Sequence, residues 1–580
     1  MIKSEIIKIL KEVGVKSEIE LSKPPDSRMG DLALACFELA KNPPAGGGKN
    51  PAKVAEELVS AILTRRLAGK DLNSSVPSQN DSDFVLNNVK AFGPYVNFYI
   101  NPKYLAEQIL STQNSELRTQ NSRIMVEFAC PNTHKAFHIG HLRNITTGES
   151  IVRILEAVGH QVIRVNYQGD VGMHIAKCLY GIKEKYGEQI YKHENDSPEQ
   201  KAKLLGEVYA YGSQEFEDNE MARQEVIEFN DKIYSQDKSI KKLYKTTRRW
   251  SLEYFDSVYK RVGSHFDRFY FESEVFDSGI KLVKKFLKKQ IFELGEGGAV
   301  IFPGSKYGLH ERVFINSKGF PTYEAKEMAL GKLQFKEYKP GKILHVVAKE
   351  QTEYFKVAFK ALESVVPNSK GREFHLVYGW VDLKTGKMSS RTGKVVLGEW
   401  LLDSVKNEVK KLMSKNDKEK VDEATAEKIA IAAVKYSFLK TGIKNDIKFD
   451  LEESVSLSGD SGPYLLYIVA RIKSILEKNI NQNLELRIEN LEVQAEEKML
   501  LFKLSEFDEV VQRAAENYDP SQIAKYLFDL AQSFNSFYEH CPVLKAKDEE
   551  KSFRLALIRK IATVMEKGLY LLGIESVERM

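Results

Sequence analysis

Cysteine is scarce in this 580-residue chain. The four present, Cys36, Cys130, Cys178 and Cys541, lie far apart without a C-x-x-C pair, which leaves neither a disulfide framework nor a zinc ribbon. A reducing compartment is the expectation. Long apolar runs are missing too. The opening MIKSEIIKILKEVG breaks its Ile and Leu with charge at helical spacing, unlike a signal peptide, and no other stretch approaches the length of a bilayer span. The chain therefore reads as soluble, cytoplasmic and free of membranes. Nor is there a strong charge of one sign: 86 basic residues face 81 acidic ones, a net +5 that permits an anionic partner without arguing for one. No repeat of solenoid period occurs. What is present is 42% hydrophobic and 10% aromatic residues, enough for packed cores and too much for a disordered or fibrous protein. At this length about three or four domains are expected.

Residues 1–120 read as a small α+β unit. Ile2, Ile6, Leu10 and Val13 make one helical face, and Val54, Leu58 and Ile62 make another behind Pro51. The string NPPAGGGKNP between them is a loop, and Val96, Phe98 and Ile100 alternate with Asn97 and Tyr99 as in a half-buried strand. LNSSVPSQNDSD reads as a surface insertion and STQNSELRTQNS as the linker that closes the unit. From 121 to 400 the pattern changes. IMVEFAC, a Pro/His/Gly loop, a long helix and QVIRVNYQ form a βαβ unit and imply a parallel sheet. Residues from about 185 to 275 are charged and helical, an insertion, after which AVIFPG, RVFIN and KILHVVA are expected to resume the same sheet. Residues 401–455 read as a helical stem and 456–580 as a helical bundle. In the bundle, Asp519 is the expected N-cap and Pro520 the first helical residue of a helix carrying Ile523, Leu527, Leu530 and Phe534 on one stripe. Gly568 and Gly573 read as breaks or caps of the last helix.

The string PNTHKAFHIGHLRN, residues 131–144, sits where a parallel strand hands over to a helix, a place where free N–H groups and the helix dipole favour an anion. Gly140 allows close backbone approach, His138 and His141 share the first turn, and Lys135 adds a cation. Two histidines so spaced also occur as surface polar residues or as part of a metal pair, but no third ligand pattern lies nearby. A second loop, LKTGKMSSRTGK at 383–394, is rich in glycine, cations and hydroxyls, which suits closing over a triphosphate. Taken alone it would be a solvated surface loop.

HIGH at 138–141 and KMSSR at 387–391, in this order on a βα framework, resemble the two ATP-binding motifs of class I aminoacyl-tRNA synthetases. The longer VEFACPNTHKAFHIGHLRN is similar to the arginyl-tRNA synthetase family. GDLALACFELAK, AFGPYVNFYIN, VNYQGDVG, FPTYEAKEMAL, SGDSGPYLLYIVARI and LLGIESVERM resemble its other blocks, so the likeness runs from about Gly30 to Met580. The resemblance implies an α/β fold: a Rossmann-type parallel-sheet catalytic domain, a small N-terminal α+β domain and an all-α C-terminal bundle. It implies ATP, entering with Mg²⁺ as substrate, on Pro131, Asn132, Lys135, His138, Gly140 and His141 of the first motif and Lys387, Met388, Ser389, Ser390 and Arg391 of the second. No metal held by the protein itself is expected. Lys135, His138, His141 and Lys387 are the implied catalytic residues. Ser390 stands where most class I enzymes have a second lysine, and Lys135, just ahead of HIGH, fills the place of the lysine that such family members carry instead.

For L-arginine, Glu127 and Asn132 resemble the residues that hold its α-amino end, Tyr323 and Glu327 those that grip the guanidinium, and Gln351 a further pocket residue. Glu327 replaces the more usual Asp. Asn166, Gly169 and Asp170 are pocket candidates, with Val171 in place of a usual Trp. The implied activity is arginine–tRNA ligation by a monomer, with the C-terminal bundle reading the tRNA anticodon. Tyr464, Tyr467, Tyr526, Phe534, Phe537 and Tyr538 beside Arg471, Lys473 and Lys525 are the candidate contacts, a few of them touching RNA and the rest core. The alternatives are a small nucleotidyltransferase, which the length disfavours, and a degenerate paralogue serving as an RNA-binding module, which the intact motifs disfavour.

Overall fold

The computed structural model describes residues 2–41, 49–68, 85–111, 122–384, 396–416, 422–479, 488 and 491–580. The surface insertion, all but the two end residues of the linker read from the sequence, most of the NPPAGGGKNP loop and the whole KMSSR string lie outside the described residues. At the N-terminus, α1 (Ile2–Glu12) buries Ile2, Ile6 and Leu10 as its periodicity requires. Then come β1 (Leu21–Ser22), β2 (Leu32–Ala35), α2 (Phe37–Lys41), α3 (Pro51–Ala68), β3 (Leu86–Phe92), β4 (Tyr95–Ile100) and α4 (Pro102–Ser111). The four strands form an antiparallel sheet in the order β1-β2-β4-β3. β4 is central in it, so Asn97 is buried along with Val96, Phe98 and Ile100, rather than facing solvent.

The main sheet begins with β5 (Arg123–Glu127), followed by α5 (Ile139–Ala157), β6 (Gln161–Gln168) and α6 (Met173–Lys185). Helices α7 (Pro198–Asp218), α8 (Glu220–Tyr234) and α9 (Lys241–Arg261) follow, leading to β7 (Arg268–Phe271) and α10 (Glu272–Leu287). The stretch from 185 to 275 thus ends in a strand of the main sheet, since β7 pairs in parallel with β6. Next are β8 (Glu293–Leu294), β9 (Val300–Phe302), β10 (Arg312–Ile315), α11 (Tyr323–Glu337), β11 (Lys342–Ala348), α12 (Thr352–Val365) and β12 (Glu373–Tyr378). All pairings in the five-stranded sheet, order β12-β11-β5-β6-β7, are parallel. This is a doubly wound sheet whose strand order reverses between β5 and β11, where crevices open at the carboxyl ends of strands.

The expectation that AVIFPG and RVFIN rejoin this sheet is corrected. They are β9 and β10 of a separate antiparallel sheet, β10-β9-β8, because the link between them is too short for the helical crossover that a parallel pair needs.

After β13 (Val381–Leu383) the chain runs through α13 (Gly398–Asn416), α14 (Glu423–Leu439), β14 (Ile447–Phe449), α15 (Leu451–Ser454), α16 (Gly462–Glu477), α17 (Ala495–Asn517), α18 (Ser521–His540) and α19 (Asp548–Leu571). β14 pairs in parallel with β13, so the stretch after 400 is not helical throughout. α18 begins one residue later than expected. Pro520 is its N-cap, and Asp519 Oδ1 accepts the Ser521 N–H at 3.1 Å. Gly568 lies inside α19 rather than at a break, because a Cβ there would overlap Leu527 of α18; Gly573, at φ +71, does follow the helix end. Fourteen of the 19 residues of α5 are buried, Arg143, Asn144 and Glu149 among them, since α13, α14, α17 and α19 pack around it.

Candidate active site

The β5–α5 turn carries three non-glycine residues with positive φ, Ala129 (+70), Cys130 (+41) and His134 (+60). Such strain persists only where surroundings hold it. Asn144 Oδ1 accepts the Ala129 N–H at 2.6 Å, and buried His134 is fixed by Thr133 Oγ1 at 3.1 Å and Thr247 Oγ1 at 2.7 Å. Gly169 lies against the same turn: a Cβ there would overlap Asn132 Oδ1.

HIGH forms the helix start itself. His138 is the N-cap of α5, its Nδ1 accepting the N–H groups of Gly140 (3.1 Å) and His141 (3.4 Å), while the His138 N–H donates to His141 Nδ1 at 3.3 Å. The two rings stack with centroids 3.7 Å apart. The Ile139 N–H donates to Val396 O at 3.0 Å. The free backbone N–H groups expected at this helix start are therefore already paired, and what remains for an anion is the dipole and the side chains. Since both Nδ1 atoms accept, each neutral ring carries its proton on Nε2. Burial, reinforced by Lys135, holds the pKa values of both histidines below the usual range, so they are neutral donors.

His138, Gly140 and His141 line a cavity of about 640 Å³ at the carboxyl ends of β5, β11 and β12, together with Glu127, Asn132, Gly169, Tyr323, Glu327 and Gln351. One pocket thus unites nine of the expected residues. Lys135 lies in an adjoining cavity of about 460 Å³ that shares Tyr323, its Nζ 5.5 Å from the Tyr209 ring centroid. Pro131 lines neither cavity, and Lys387, Met388, Ser389, Ser390 and Arg391 lie outside the described residues. The flank of their loop is described: Leu397 bridges to His138, and the Gly398 N–H donates to Phe137 O at 2.8 Å. Arg143 helps to seat the other flank, its guanidinium donating to the carbonyls of Gly379 (2.6 Å), Trp380 (2.5 Å), Ile443 (3.2 Å) and Asn445 (2.8 Å). The described flanks of the second motif therefore meet the start of α5.

Two of the pocket candidates are structural instead. Asn166 is buried with its amide donating to Tyr259 Oη at 3.1 Å. Fully buried Asp170 accepts from the Ser273 N–H (2.8 Å), Arg248 Nε (2.7 Å) and Tyr244 Oη (3.3 Å), which leaves it no free face. Val171 is buried beside it.

The floor is acidic. Lys326 pairs with Glu272 at 2.6 Å and Arg312 with Glu324 at 3.2 Å, residues the sequence reading did not single out because their charges look like ordinary surface charge. Glu127 accepts from Gln334 Nε2 at 2.7 Å and faces His345 Nδ1 at 3.0 Å. Glu327 is 12% exposed at its side chain, 3.7 Å from His345, and among the described residues no hydrogen bond reaches it. Burial, with Glu127 close by, pushes its carboxyl up to about 8. Ligand atoms of Glu127, Glu327 and His345 lie within 4.8 Å of one another, so Glu127 and Glu327 attend one end of the pocket, not opposite ends of a ligand. A metal is disfavoured there, since both His345 nitrogens face carboxylates and carry protons.

Comparison with known proteins agrees with this geometry. Residues 105–451 match the tRNA synthetases class I (R) catalytic domain, which defines the class: a class I tRNA synthetase. Residues 1–100 match the arginyl tRNA synthetase N-terminal domain and 465–580 the DALR anticodon binding domain. The arginine–tRNA ligase of Treponema denticola is 32% identical, covering 97% of this chain and 95% of that protein; that of Bdellovibrio bacteriovorus is 31% identical, covering 97% and 94%. The chain belongs to the arginyl-tRNA synthetase family. Solved arginyl-tRNA synthetases from Thermus thermophilus (TM-score 0.78, 24% identity) and Plasmodium falciparum (0.77, 19%) share the fold, each covering 100% of this chain and 99% of its own.

Proposed function

We propose that this chain is an arginine–tRNA ligase in which L-arginine and ATP meet in the 640 Å³ cavity. The observation that carries the reading is Glu327, a nearly buried carboxyl that no hydrogen bond reaches among the described residues, in the same pocket as the two neutral histidine donors. A guanidinium brings five N–H donors and a positive charge, which is what such a carboxylate lacks. In this reading Tyr323 and Glu327 receive the guanidinium, while Asn132 and Gln351 hold the amino-acid end. Glu127 has both oxygens engaged, so it supports the floor rather than grasping the α-amino group.

ATP, bringing Mg²⁺ with it, lies along the start of α5, with Nε2–H of His138 and His141 toward its phosphates and Lys135 and Lys387 supplying charge. The arginine carboxylate attacks the α-phosphorus in line, giving arginyl-adenylate and pyrophosphate. The 2′-hydroxyl of the terminal tRNA adenosine then attacks the activated carbonyl and expels AMP. Positioning and charge neutralisation supply most of the acceleration, and no general base is needed. The bundle reads the anticodon through a half-buried edge: Arg471 stacks on Tyr538 at 4.3 Å and on Tyr467 at 5.9 Å, whereas Tyr464, Tyr526, Phe534 and Phe537 are core. Lys473 is tied to Glu566 and Glu578, and Lys525 to Asp529. Among the described residues no helix is long and apolar enough to cross a membrane; a cytoplasmic monomer completes the reading, and light scattering at working concentration tests the monomer. The decisive experiment is aminoacylation of total tRNA with each of the twenty amino acids. Charging by arginine alone is expected. RNA binding without charging would favour the degenerate paralogue.

A further inference from the structure

His345 stands at the middle of the acidic floor, where nothing in its sequence surroundings marks it. It lies on β11, in register with Glu127 of β5 on one side and His375 of β12 on the other. Its side chain is 2% exposed. Nδ1 faces Glu127 Oε1 at 3.0 Å and Nε2 faces Glu373 Oε2 at 2.5 Å. A neutral imidazole has one N–H and would aim a lone pair at one of these carboxylates, so with both ionised only the doubly protonated ring satisfies them. Burial opposes that charge, but Glu127 and Glu373 together outweigh it and hold the ring protonated well above the usual histidine range.

The consequence falls on Glu327, 3.7 Å from Nδ1. Around it stand Glu127, Cys130, Tyr167, Glu272, Tyr354 and Glu373, all of which are neutral or oppose a further negative charge; of these, Glu272 is matched by Lys326. His375, beside His345, is held neutral by its own burial. Arg312, which lines the same pocket, is paired with Glu324, and His345 is thus a cation 3.7 Å from Glu327 that helps it ionise.

We infer that His345 is a positioning residue for substrate recognition: clamped between Glu127 and Glu373, it holds the charge that lets Glu327 ionise opposite the incoming guanidinium, so that arginine binding expels one proton to solvent. The inference rests on the reading above, in which Glu327 receives the guanidinium. In the empty site Glu327 keeps its proton at neutral pH. The arriving cation takes the carboxylate, and the proton departs. The KM for arginine therefore falls as pH rises toward 8 and then levels, being about tenfold above its limit at pH 7 for a group titrating near 8.

The test is arginine KM and kcat from pH 6.5 to 8.5 for wild type, His345→Gln and Glu327→Gln. For His345→Gln, KM at pH 7 is expected to rise a further tenfold or more, still falling steeply at pH 8.5, with kcat within about threefold of wild type. A purely structural role would lower kcat or active fraction at every pH without moving the profile, and that result overturns the inference. A raised KM in Glu327→Gln with an unmoved profile in His345→Gln also overturns it while the substrate reading stands. An unchanged KM in Glu327→Gln sinks the substrate reading itself. Should His345→Gln fail to fold, calorimetric titration of wild type with arginine at pH 7, in buffers of different ionisation heat, still decides: nearly one proton released supports the inference, and none refutes it.

Discussion

His138 shows how much one side chain can do at a helix start. Its Nδ1 caps two backbone N–H groups, and its ring stacks on His141, leaving Nε2–H for the ligand. Cap and donor can be separated. Asn is as good an N-cap as any residue, so His138→Asn is expected to keep the melting temperature within about 2 °C while losing the Nε2 donor. Loss of one such donor slows the chemical step on the order of 100-fold, which ATP–pyrophosphate exchange would reveal; undiminished exchange would remove His138 from the chemistry. Lys135 makes a second case. Its Nζ rests over Tyr209 in the adjoining cavity, so it must swing on its flexible stem to meet phosphate. Lys135→Ala is expected to cripple adenylate formation while tRNA binding persists, and normal activation kinetics would show that no such swing matters.

At the scale of elements, α5 is the axis on which the molecule is built. It starts at the ligand cavity, is buried along most of its length, and receives α13, α14, α17 and α19. Arg143, one turn in, donates to four carbonyls of two segments about 240 and 300 residues away in sequence. Arg143→Met would take the donor from the Gly379 and Asn445 carbonyls, while Trp380 O and Ile443 O still accept the Ile447 and Gly379 N–H groups; an unsatisfied buried group costs roughly 1–3 kcal/mol. A fall in melting temperature together with loss of activity is expected; a protein as stable and active as wild type would mean the carbonyls find water. In the bundle, Gly568 lets α19 approach Leu527 of α18. Gly568→Ala gains helix propensity of about 1 kcal/mol but overpacks this contact by about 1–3 kcal/mol, so net destabilisation is expected in denaturant unfolding.

Over the whole molecule, pH acts through histidines of opposite kind. Burial pushes His134 and His174 down to about 3, and His138 and His141 are lowered as well. Below pH 6.5 the unfolded chain binds protons that these four refuse, so stability falls as the pH drops through that range. His345 runs the other way: its contribution is complete below 6.5 and fades as pH rises through its raised value. Glu327 holds a proton that the unfolded carboxyl loses between 4.5 and about 8, so it too weakens the empty fold as pH rises. Each unmatched proton contributes about 1.4 kcal/mol per pH unit. His134→Gln is accordingly expected to flatten the acid limb of the unfolding free energy by about that slope between pH 6 and 4; an unaltered slope would show that His134 is protonated in the native state.

The amino-acid sequence alone determined the local and the strongly patterned features. α1, α3, β5 and β6 followed from hydrophobic period, and the nucleotide loop from HIGH at a strand-to-helix junction, because those signals arise from neighbours in the chain. It could not decide pairing. β9 and β10 look like strands of any sheet until the length of their link sends them into an antiparallel one, and Gly568 looks like a helix breaker until a neighbouring helix needs its missing Cβ. Likewise Asp170 and Asn166 read as pocket candidates but are consumed by partners that α9 and α10 bring to them. His345 is an unremarked residue of an apolar strand until β5 and β12 set a carboxylate on each of its nitrogens. Charge state depends on which groups share a buried volume, and only the tertiary structure assembles that volume.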